Sequence, residues 1–538
     1  MSLSYQKQPV RLLAVFGCAF LLHLALLAQD DDQTGIKIFR SATTNLYGSG
    51  VRVAQIEADD GEAVGAQDFE VNPAVVGFPA GKLSYQSSAG SGSVYPNQLG
   101  VDSYHSDRVG QFFYGTVSPG QTANGVATNV AHVDVVDAKY FLWNELANLS
   151  AMNDSVFCQS YTFGAVPVIT QQAWDSFFDD YAAQFGVLFV SSIGANGVTP
   201  PPGTAYNSIG VGAYGPGSSS ATGPTPDNGR CKPDLTAPDA NTSFSAPQVA
   251  GAAAVLVQAG LRGDGGPGIN AATDPRTLKA LLLNGAVKPL GWTNSAKTPL
   301  DARYGSGMLN LYNSYRELAG GRQTNFVVSA VPAMGIHPPT TATNTIGALS
   351  GWDFNTNNSS GTADAINHYC FNVTNVVGQG NFLAAATLVW HRQLGGDDIN
   401  HLQLFLYNTA NSNLVACSTS AVDNVQHIWL THLAPGRYDL QVWKAGGSNI
   451  VSPGEPYALA FAFMPQPMLT LHSTGKDLAL TWPAYPAGFV PEAATGMFGS
   501  GNWSTNGLLP VTFTNQQNQV VVCCTNLAQG YRLCSPNF

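Results

Sequence analysis

The sequence predicts a doubly wound parallel α/β sheet, followed by an antiparallel β-sandwich and a small β-rich C-terminal module. Three observations support this prediction. Residues 47–322 alternate short valine- and isoleucine-rich runs with helical patterns, which is typical of a parallel sheet covered by helices. Residues 351–465 carry strand patterns and little helix, as an antiparallel sandwich does. Residues 466–538 return to short strand-like runs and are expected to form a separate small unit.

The elements of the first domain follow from apolar runs and from helical spacing. Buried strands are predicted from three runs: GVRVAQIE (50–57), AHVDVVDA (131–138) and GVLFVSSI (186–193). A helix is predicted in AWDSFFDDYAAQF (173–185), where aromatic residues recur on one helical face. Another helix is predicted in DPRTLKALLLNGAV (274–287), with Pro275 in its first turn. Between the first domain and the sandwich, residues 323–350 are rich in Pro, Thr and Gly and read as a linker.

Composition and charge exclude some partners. Only 11% of the 538 residues are charged, against roughly 25% in an average globular protein. Lysine and arginine together number 23, and the net charge is −11. This balance disfavours nucleic acid and anionic membrane surfaces as binding partners.

The N-terminus predicts export. Lys7 and Arg11 precede an apolar run at 12–28, so residues 1–28 read as a signal peptide with cleavage after Ala28. The alternative is an uncleaved anchor, although the run has the minimum length that spans a bilayer. We expect a secreted protein, extracellular or periplasmic, without membrane contact after cleavage, and an N-terminal linker over residues 29–46. Eight cysteines occur, and Cys370 with Cys417 is one pairing that the sequence allows.

One segment carries the strongest chemical signal. KPDLTAPDANTSFSAPQVAG (232–251) places hydroxyl residues at the start of a predicted helix. The simplest interpretation is that Thr242 or Ser243 caps this helix. The string, however, resembles the nucleophile segment of subtilisin-like serine peptidases, the subtilases. In that resemblance the nucleophile is Ser243 and not Ser245. A serine at a helix N-terminus lies at the positive end of the dipole, where its own N–H can hold an oxyanion.

The resemblance also implies a base and an acid. His105 lies in SYHSDRVGQFFYG, which is similar to the histidine segment of subtilases, whereas His132 lies within a predicted strand. Glu57 ends VRVAQIE, where the family carries an aspartate. Asp59 or Asp60 are alternatives through a shift of register. The order Glu57, His105, Ser243 is the subtilisin order of acid, base and nucleophile.

The predicted oxyanion donor is Asn196, in FVSSIGANG, and the alternative is an asparagine that forms a turn. The resemblance covers about residues 47–320. It implies a subtilisin-like fold and a serine endopeptidase that acts on proteins or peptides. It implies no cofactor and no catalytic metal, and the sequence does not reveal whether structural calcium binds.

Three alternatives remain open from the sequence. The first is an inactive subtilase homologue, and the second is a sedolisin, whose glutamate and aspartate lie on a helix. The third is an adhesive or carbohydrate-binding protein that contacts a cell surface or matrix through its β modules. Five tryptophans either form a sugar platform or fill cores: Trp352, Trp390, Trp429, Trp443 and Trp482. The string HRQLGGDDINH (391–401) reads as a polar hairpin or, less simply, as metal ligands.

Overall fold

The computed structural model of the protein describes residues 34–59, 67–116, 125–359, 361–374, 380–447, 450–475, 477–484, 489–495, 503–505, 508, 511–514, 517–523 and 529–534. The predicted signal peptide, residues 1–28, lies outside the described residues, and so does Asp60.

The described chain begins with the elements of the α/β domain. Its helices are α1 (Ile36–Ala42), α2 (Pro73–Val76), α3 (Tyr104–Phe113), α4 (Ala138–Tyr140), α5 (Val168–Phe185), α6 (Thr242–Arg262), α7 (Ile269–Ala272), α8 (Pro275–Asn284) and α9 (Leu311–Ala319). A 3₁₀ turn covers Ala80–Lys82, and a π-helical segment covers Phe141–Leu146. Its strands are β1 (Arg52–Glu57), β2 (Asp68–Glu70), β3 (Leu83–Ser87), β4 (Gly90–Gly92), β5 (Val101–Asp102), β6 (His132–Asp137), β7 (Val156–Gln159), β8 (Leu188–Ser192), β9 (Ser208–Tyr214) and β10 (Leu235–Pro238).

The remaining described elements are strands. Those of the second domain are β11 (Val327–Pro332), β12 (Ser350–Asn358), β13 (Ala363–Val373), β14 (Phe382–Trp390), β15 (Leu402–Asn408), β16 (Asn413–Ser418), β17 (Val425–Leu433), β18 (Gly436–Lys444) and β19 (Gly454–Pro465). Those of the C-terminal module are β20 (Thr470–Ser473), β21 (Asp477–Pro483), β22 (Val490–Thr495), β23 (Thr512–Thr514), β24 (Gln517–Cys523) and β25 (Gln529–Cys534).

The central sheet of the first domain has the order β10-β9-β8-β7-β1-β6-β3-β4. All neighbours are parallel except β3 and β4. The strand order reverses around β1, which pairs with β6 on one side and with β7 on the other. The predicted doubly wound parallel sheet is therefore confirmed, and its central strand is the one that ends at Glu57.

Strand β1 is buried on both faces, and its alternation assigns each side chain to one face. Ala54 and Ile56 belong to the apolar core that contains Phe178 and Tyr181 of α5. Val53 belongs to the opposite core, which contains much of α6. Because side chains alternate along a strand, Gln55 and Glu57 lie on the same face as Val53. The acidic residue at the strand end therefore faces the helices α3 and α6.

Two predicted linkers contain structure that belongs to the neighbouring domains. Within residues 29–46, helix α1 buries Ile36 and Phe39 in the core of the α/β domain. Within residues 323–350, strand β11 pairs with β13 in antiparallel register. Both elements are short, and the residues around them have a composition typical of a linker, so the sequence did not predict them. The linkers are consequently shorter than predicted.

The second domain consists of two antiparallel sheets, β11-β13-β18-β15-β16 and β12-β19-β14-β17. They share one apolar core in which Phe371 of β13 contacts Phe461 of β19 with ring centroids 4.8 Å apart. Four of the five tryptophans proposed as a sugar platform are buried, and Trp429 is partly buried. These side chains fill interiors, so the hypothesis of a tryptophan sugar platform is wrong.

The sandwich packs directly on the α/β domain. Val389 of β14 and Ala458 of β19 share an apolar cluster with Leu281 of α8. A pair of hydrogen bonds joins the two domains, since Asn207 donates to the carbonyl of Arg392 at 2.9 Å and accepts from its N–H at 2.8 Å. Arg392 lies in the segment 391–401, which therefore forms an interdomain contact. No group of three or more metal-ligating His, Cys, Asp or Glu side chains occurs in the part of the chain that the structure describes.

The C-terminal module contains the sheets β20-β21-β24-β23 and β22-β25 around a small core with Trp482. In the sandwich, Cys370 on β13 and Cys417 on β16 are separated by two intervening strands, which is roughly 14 Å. A disulfide bond needs Cα atoms within about 7 Å, so this pairing is wrong. Among the described residues, helix α6 alone is long and apolar enough to cross a membrane, and 83% of its apolar window is buried inside the protein.

Candidate active site

The candidate site lies at the carboxyl edge of the parallel sheet. Glu57 ends β1, Ser160 follows β7, and the segment after β10 leads into α6. Ligands and substrates of doubly wound sheets bind at this edge, at the point where the strand order reverses. His132 lies at the opposite end of β6, since it pairs with Arg52 while Asp137 pairs with Glu57. Five residues of strand separate the two levels, which is about 17 Å.

Glu57 and His105 form the first contact of the site. Nδ1 of His105 lies 2.9 Å from Oε2 of Glu57, whose side chain is fully buried, while a quarter of the His105 side chain is exposed. Oε1 of Glu57 accepts a second hydrogen bond from Nε2 of Gln55 at 2.8 Å. His105 lies in the first turn of α3, which is capped by Ser103. A buried carboxylate that accepts from Nδ1 fixes the imidazole tautomer and leaves Nε2 as the base.

Ser243 lies in the first turn of α6, as its resemblance to the nucleophile segment implies. Pro247 stands four residues later and has no N–H to give to the carbonyl of Ser243. The hydroxyl of Ser160 donates to that carbonyl instead, at 2.9 Å. In return, the Ser243 hydroxyl donates to the carbonyl of Ser160 at 3.2 Å. These two hydrogen bonds hold the start of α6 against the end of β7.

Helix α3, which carries His105, packs closely against α6, which carries Ser243. A Cβ added at Gly251 of α6 would lie 3.1 Å from the carbonyl oxygen of Phe113, the last residue of α3, and 2.6 Å from Cβ of Val126. Glycine at this position therefore allows the close approach of the two helices. The ring of Phe244, next to Ser243 in the chain, has its centroid 5.8 Å from that of the His105 ring. The contact of the two helices thus places the Glu57–His105 pair beside the residue that follows Ser243.

The backbone N–H of Ser243 already has an acceptor. Asn241 is the N-cap residue of α6, and its Oδ1 accepts from that N–H at 3.0 Å. In a serine peptidase the same N–H would donate to the oxyanion of the tetrahedral intermediate. A substrate carbonyl must therefore displace the Asn241 amide before it can use this donor.

Asn196 lies in the loop that follows β8. Its backbone has φ 60°, and Gly197 follows with φ 72°, so both residues adopt the left-handed conformation of a tight turn. Its N–H donates to the carbonyl of Ser219 at 2.6 Å, and its side chain is exposed. The loop starts beside the residue that precedes Ser243, because the hydroxyls of Ser192 and Thr242 are 2.7 Å apart. The turn conformation is thus observed, and the donor role of Asn196 stays a prediction.

Three residues that join the site were not identified from the sequence: Gln55, Tyr114 and Ser160. The hydroxyl of Tyr114 donates to Oε1 of Gln55 at 2.7 Å, behind the Glu57 carboxylate. Only one local signal pointed to Ser160, since proline inside a helix implies a carbonyl that needs another donor. Gln55 carried a weaker signal, because a polar residue in an otherwise apolar strand needs a buried partner.

Asp107 follows two residues after His105 and is buried. Burial, with a smaller contribution from the nearby charge of Asp102, raises its pKa to about 7. A hydrogen bond from the N–H of Asn72, at 2.7 Å, opposes this shift. A carboxylate in the first turn of α3 therefore changes its charge near neutral pH.

Comparison with known families gives a match over part of the α/β domain. Residues 113–307 match the family model of the subtilases, which supports a serine peptidase domain in this part of the chain. The match includes Ser243 and Asn196 and begins after Glu57 and His105. The assignment of the acid and the base therefore depends on the geometry described above. A comparison with curated proteins gives no match.

Among solved structures, the chain is similar to the prenylagaramide maturation protease PagA, with 18% identity and a TM-score of 0.35 over 53% of this chain and 99% of that protein. It is similar to MycP1 from Mycobacterium smegmatis, with 16% identity and a TM-score of 0.35 over 53% of this chain and 83% of that protein. A chitosan-binding module from a Paenibacillus sp. IK-5 chitosanase/glucanase shares 10% identity and a TM-score of 0.14 over 26% of this chain and 94% of the module.

Proposed function

We propose that this protein is a secreted serine endopeptidase that hydrolyses peptide bonds in proteins or peptides with Glu57, His105 and Ser243. One observation carries the proposal: Nδ1 of His105 contacts the buried Glu57 carboxylate at 2.9 Å, at the sheet edge where α6 presents Ser243. A glutamate replaces the usual aspartate and still reaches the imidazole. Its position at the end of β1 favours the subtilisin arrangement over the sedolisin one, in which the acid lies on a helix.

The geometry supports the following steps. Nε2 of His105 takes the proton of the Ser243 hydroxyl while the oxygen attacks the scissile carbonyl carbon. Before this, the hydroxyl leaves its hydrogen bond to the Ser160 carbonyl. The developing oxyanion accepts from the N–H of Ser243 once the Asn241 amide has moved, and we propose Asn196 as the second donor. His105 then protonates the leaving amine, and water hydrolyses the acyl-enzyme by the same route.

A second candidate function is that of an inactive homologue, and two observations favour it. The amide of Asn241 occupies the N–H of Ser243, and the Asn196 side chain is exposed in a turn. In that case, contacts through the β modules, with a cell surface or matrix as the partner, would constitute the function. The two candidates differ in whether Ser243 reacts with an electrophile.

A fluorophosphonate probe separates the two candidates. We expect the full-length secreted protein to be labelled, and Ser243→Ala to abolish labelling. Ser245→Ala is the matched control, because Ser245 lies two residues away and its hydroxyl donates to the carbonyl of Ala237 at 3.0 Å, inside the core. Retained labelling in Ser245→Ala identifies the nucleophile. No labelling of folded wild-type protein would establish the inactive alternative.

The role of Asn196 needs its own pair of variants. Glycine keeps the left-handed turn and removes the amide, whereas alanine removes the amide and strains the turn. If Asn196 donates to the oxyanion, both variants lose roughly 100- to 1000-fold in kcat. If Asn196 only forms the turn, Asn196→Gly keeps full activity and Asn196→Ala loses thermal stability.

A further inference from the structure

Behind the acid–base pair lies a chain of buried polar contacts that the triad itself does not explain. Gln55 and Tyr114 are both fully buried, although each carries a polar group that is costly to bury without a partner. The Tyr114 hydroxyl donates to Oε1 of Gln55 at 2.7 Å. The Gln55 amide nitrogen donates to Oε1 of Glu57 at 2.8 Å and to the carbonyl of Ser106 at 2.8 Å.

The two groups that accept from the Gln55 amide lie on the two elements that carry the Glu57–His105 pair. Glu57 is the acid, and Ser106 directly follows the base His105 in the first turn of α3. One NH₂ group therefore joins the strand that carries the acid to the helix that carries the base. Gln55 and Glu57 are two residues apart on one face of β1, so their Cα atoms are separated by about 7 Å and the contact needs two long side chains.

Tyr114 determines which way the Gln55 amide points. Because its hydroxyl donates to the amide oxygen, the NH₂ group must face Glu57 and Ser106. Burial raises the pKa of Tyr114 well above its ordinary value, so the hydroxyl keeps its proton. Tyr114 follows the last residue of α3, and a Cβ at Gly110 would lie 3.0 Å from its hydroxyl oxygen. The ring therefore lies back along α3, and glycine at 110 provides the space.

We propose that Gln55 is a positioning residue for the Glu57–His105 pair and that Tyr114 orients it. This inference rests on the proposed function and extends it to two further residues. A neutral amide satisfies the second carboxylate oxygen without neutralising its charge, so the carboxylate keeps its full attraction for the imidazolium. The same amide holds the long glutamate side chain at a fixed distance from α3. The Tyr114–Gln55 pair thus explains how glutamate serves where subtilases use aspartate.

The test uses Gln55→Leu and Tyr114→Phe in the full-length protein. Tyr114→Phe removes a single oxygen, and Tyr85→Phe is its matched control, because the buried Tyr85 hydroxyl donates to the carbonyl of Val71 at 2.8 Å, outside the Tyr114–Gln55–Glu57 chain. We expect kcat to fall roughly 10- to 100-fold in Gln55→Leu and about 3- to 10-fold in Tyr114→Phe, with KM little changed. The double variant should be no slower than Gln55→Leu alone, since both act through one amide.

The tautomer and the protonation of the His105 imidazole distinguish a positioning role from a merely structural one, because a structural role would leave both unchanged. Nitrogen chemical shifts of His105, assigned with a His105→Gln variant, should show the Nδ1–H tautomer in the wild type and in Tyr85→Phe. They should show a mixture of tautomers in Gln55→Leu and, to a smaller extent, in Tyr114→Phe. The acid limb of kcat/KM should move to lower pH by about half a unit, because a displaced carboxylate stabilises the imidazolium less. A shift to higher pH, or identical spectra for Tyr114→Phe, Tyr85→Phe and wild type, would overturn the inference. The spectra decide this even if the wild type hydrolyses no substrate, so the two proposals fail separately.

Discussion

Ser160 and Ser243 exchange two hydrogen bonds, each hydroxyl donating to the backbone carbonyl of the other residue, at 2.9 and 3.2 Å. The arrangement compensates for Pro247, whose missing N–H leaves the Ser243 carbonyl without its helical donor. A buried carbonyl without a donor costs about 1–3 kcal/mol. Ser243, the proposed nucleophile, is therefore held by a residue 83 positions earlier in the chain.

This relationship predicts the effect of Ser160→Ala. We expect a lower melting temperature and roughly tenfold slower labelling by a fluorophosphonate, because the start of α6 loses its attachment to β7. The double variant Ser160→Ala/Pro247→Ala regains a backbone N–H that can reach the Ser243 carbonyl, so the labelling rate should recover. Pro247→Ala alone is the control and should label at nearly the wild-type rate. If the double variant labels as slowly as Ser160→Ala, the serine hydroxyl acts by another route.

The second prediction concerns Glu57, the proposed acid. Glu57→Gln removes the charge at nearly constant shape, and we expect kcat to fall by up to about 10⁴-fold because the imidazole loses its tautomer and its counter-charge. Glu57→Asp keeps the charge but retracts it by roughly one carbon–carbon bond, and misplacement of about 1 Å can cost on the order of 100-fold. Steady-state kinetics on a peptide substrate measure both losses.

Asp59→Asn is the control for these variants, because Asp59 is the exposed carboxylate two residues further along. Its kcat should equal that of the wild type. If Asp59→Asn abolished activity and Glu57→Gln did not, the acid would be Asp59 and the register would be shifted.

The third prediction concerns Asn241, which holds the N–H of Ser243. Asn241→Gly frees this donor for the oxyanion, and a competing neutral hydrogen bond is worth about 0.5–1.5 kcal/mol. We therefore expect kcat to rise roughly 3- to 10-fold, while the melting temperature changes little because glycine is a tolerable N-cap. Asn241→Asp keeps the cap but places a negative charge beside the oxyanion, so kcat should fall. A decrease in Asn241→Gly would mean that the amide itself supports the transition state.

Features that depend on short-range patterns of residues could be predicted from the sequence, whereas contacts between residues far apart in the chain could not. The apolar run that ends at Glu57 and the helix that starts near Ser243 follow from short-range patterns. The contacts of Gln55 with Ser106 and of Ser160 with Ser243 join residues 51 and 83 positions apart, and no periodicity encodes them. Strand β11 alternates in burial in the folded structure, but its sequence VVSAVP does not alternate between apolar and polar residues, so the sequence did not predict it.

The start of one helix could be predicted from the sequence, and the start of another could not. Helix α8 begins at Pro275, as the sequence indicated, and Asp274 caps it. Helix α5 begins at Val168, five residues before the predicted start. The segment Val168–Gln172 lacks the aromatic spacing of the rest, and Pro167 provided the only indication of an earlier start.

The fourth prediction uses the raised pKa of Asp107. In the folded protein this pKa is about 7, against 3.8 for an ordinary aspartate, so folding favours the protonated form. Below about pH 4 both states are protonated and the residue costs nothing. Between about pH 4 and pH 7 the Asp107 carboxyl is ionised in the unfolded chain but still protonated in the folded protein. The free energy of unfolding therefore falls as the pH rises through this range, and the full loss is reached above pH 7. Asp107→Asn cannot ionise and escapes this cost.

The melting temperature of Asp107→Asn should therefore equal that of the wild type near pH 4 and exceed it increasingly up to pH 8. The difference in unfolding free energy should reach roughly 4 kcal/mol at most, which is the value of a three-unit shift. The asparagine oxygen can still accept from the N–H of Asn72, so the turn before α2 keeps its contact. Asp59→Asn, at an exposed carboxylate, should give the same difference from wild type at every pH. A difference for Asp107→Asn that is constant with pH would show that Asp107 is ionised throughout and that its burial is compensated by charge partners.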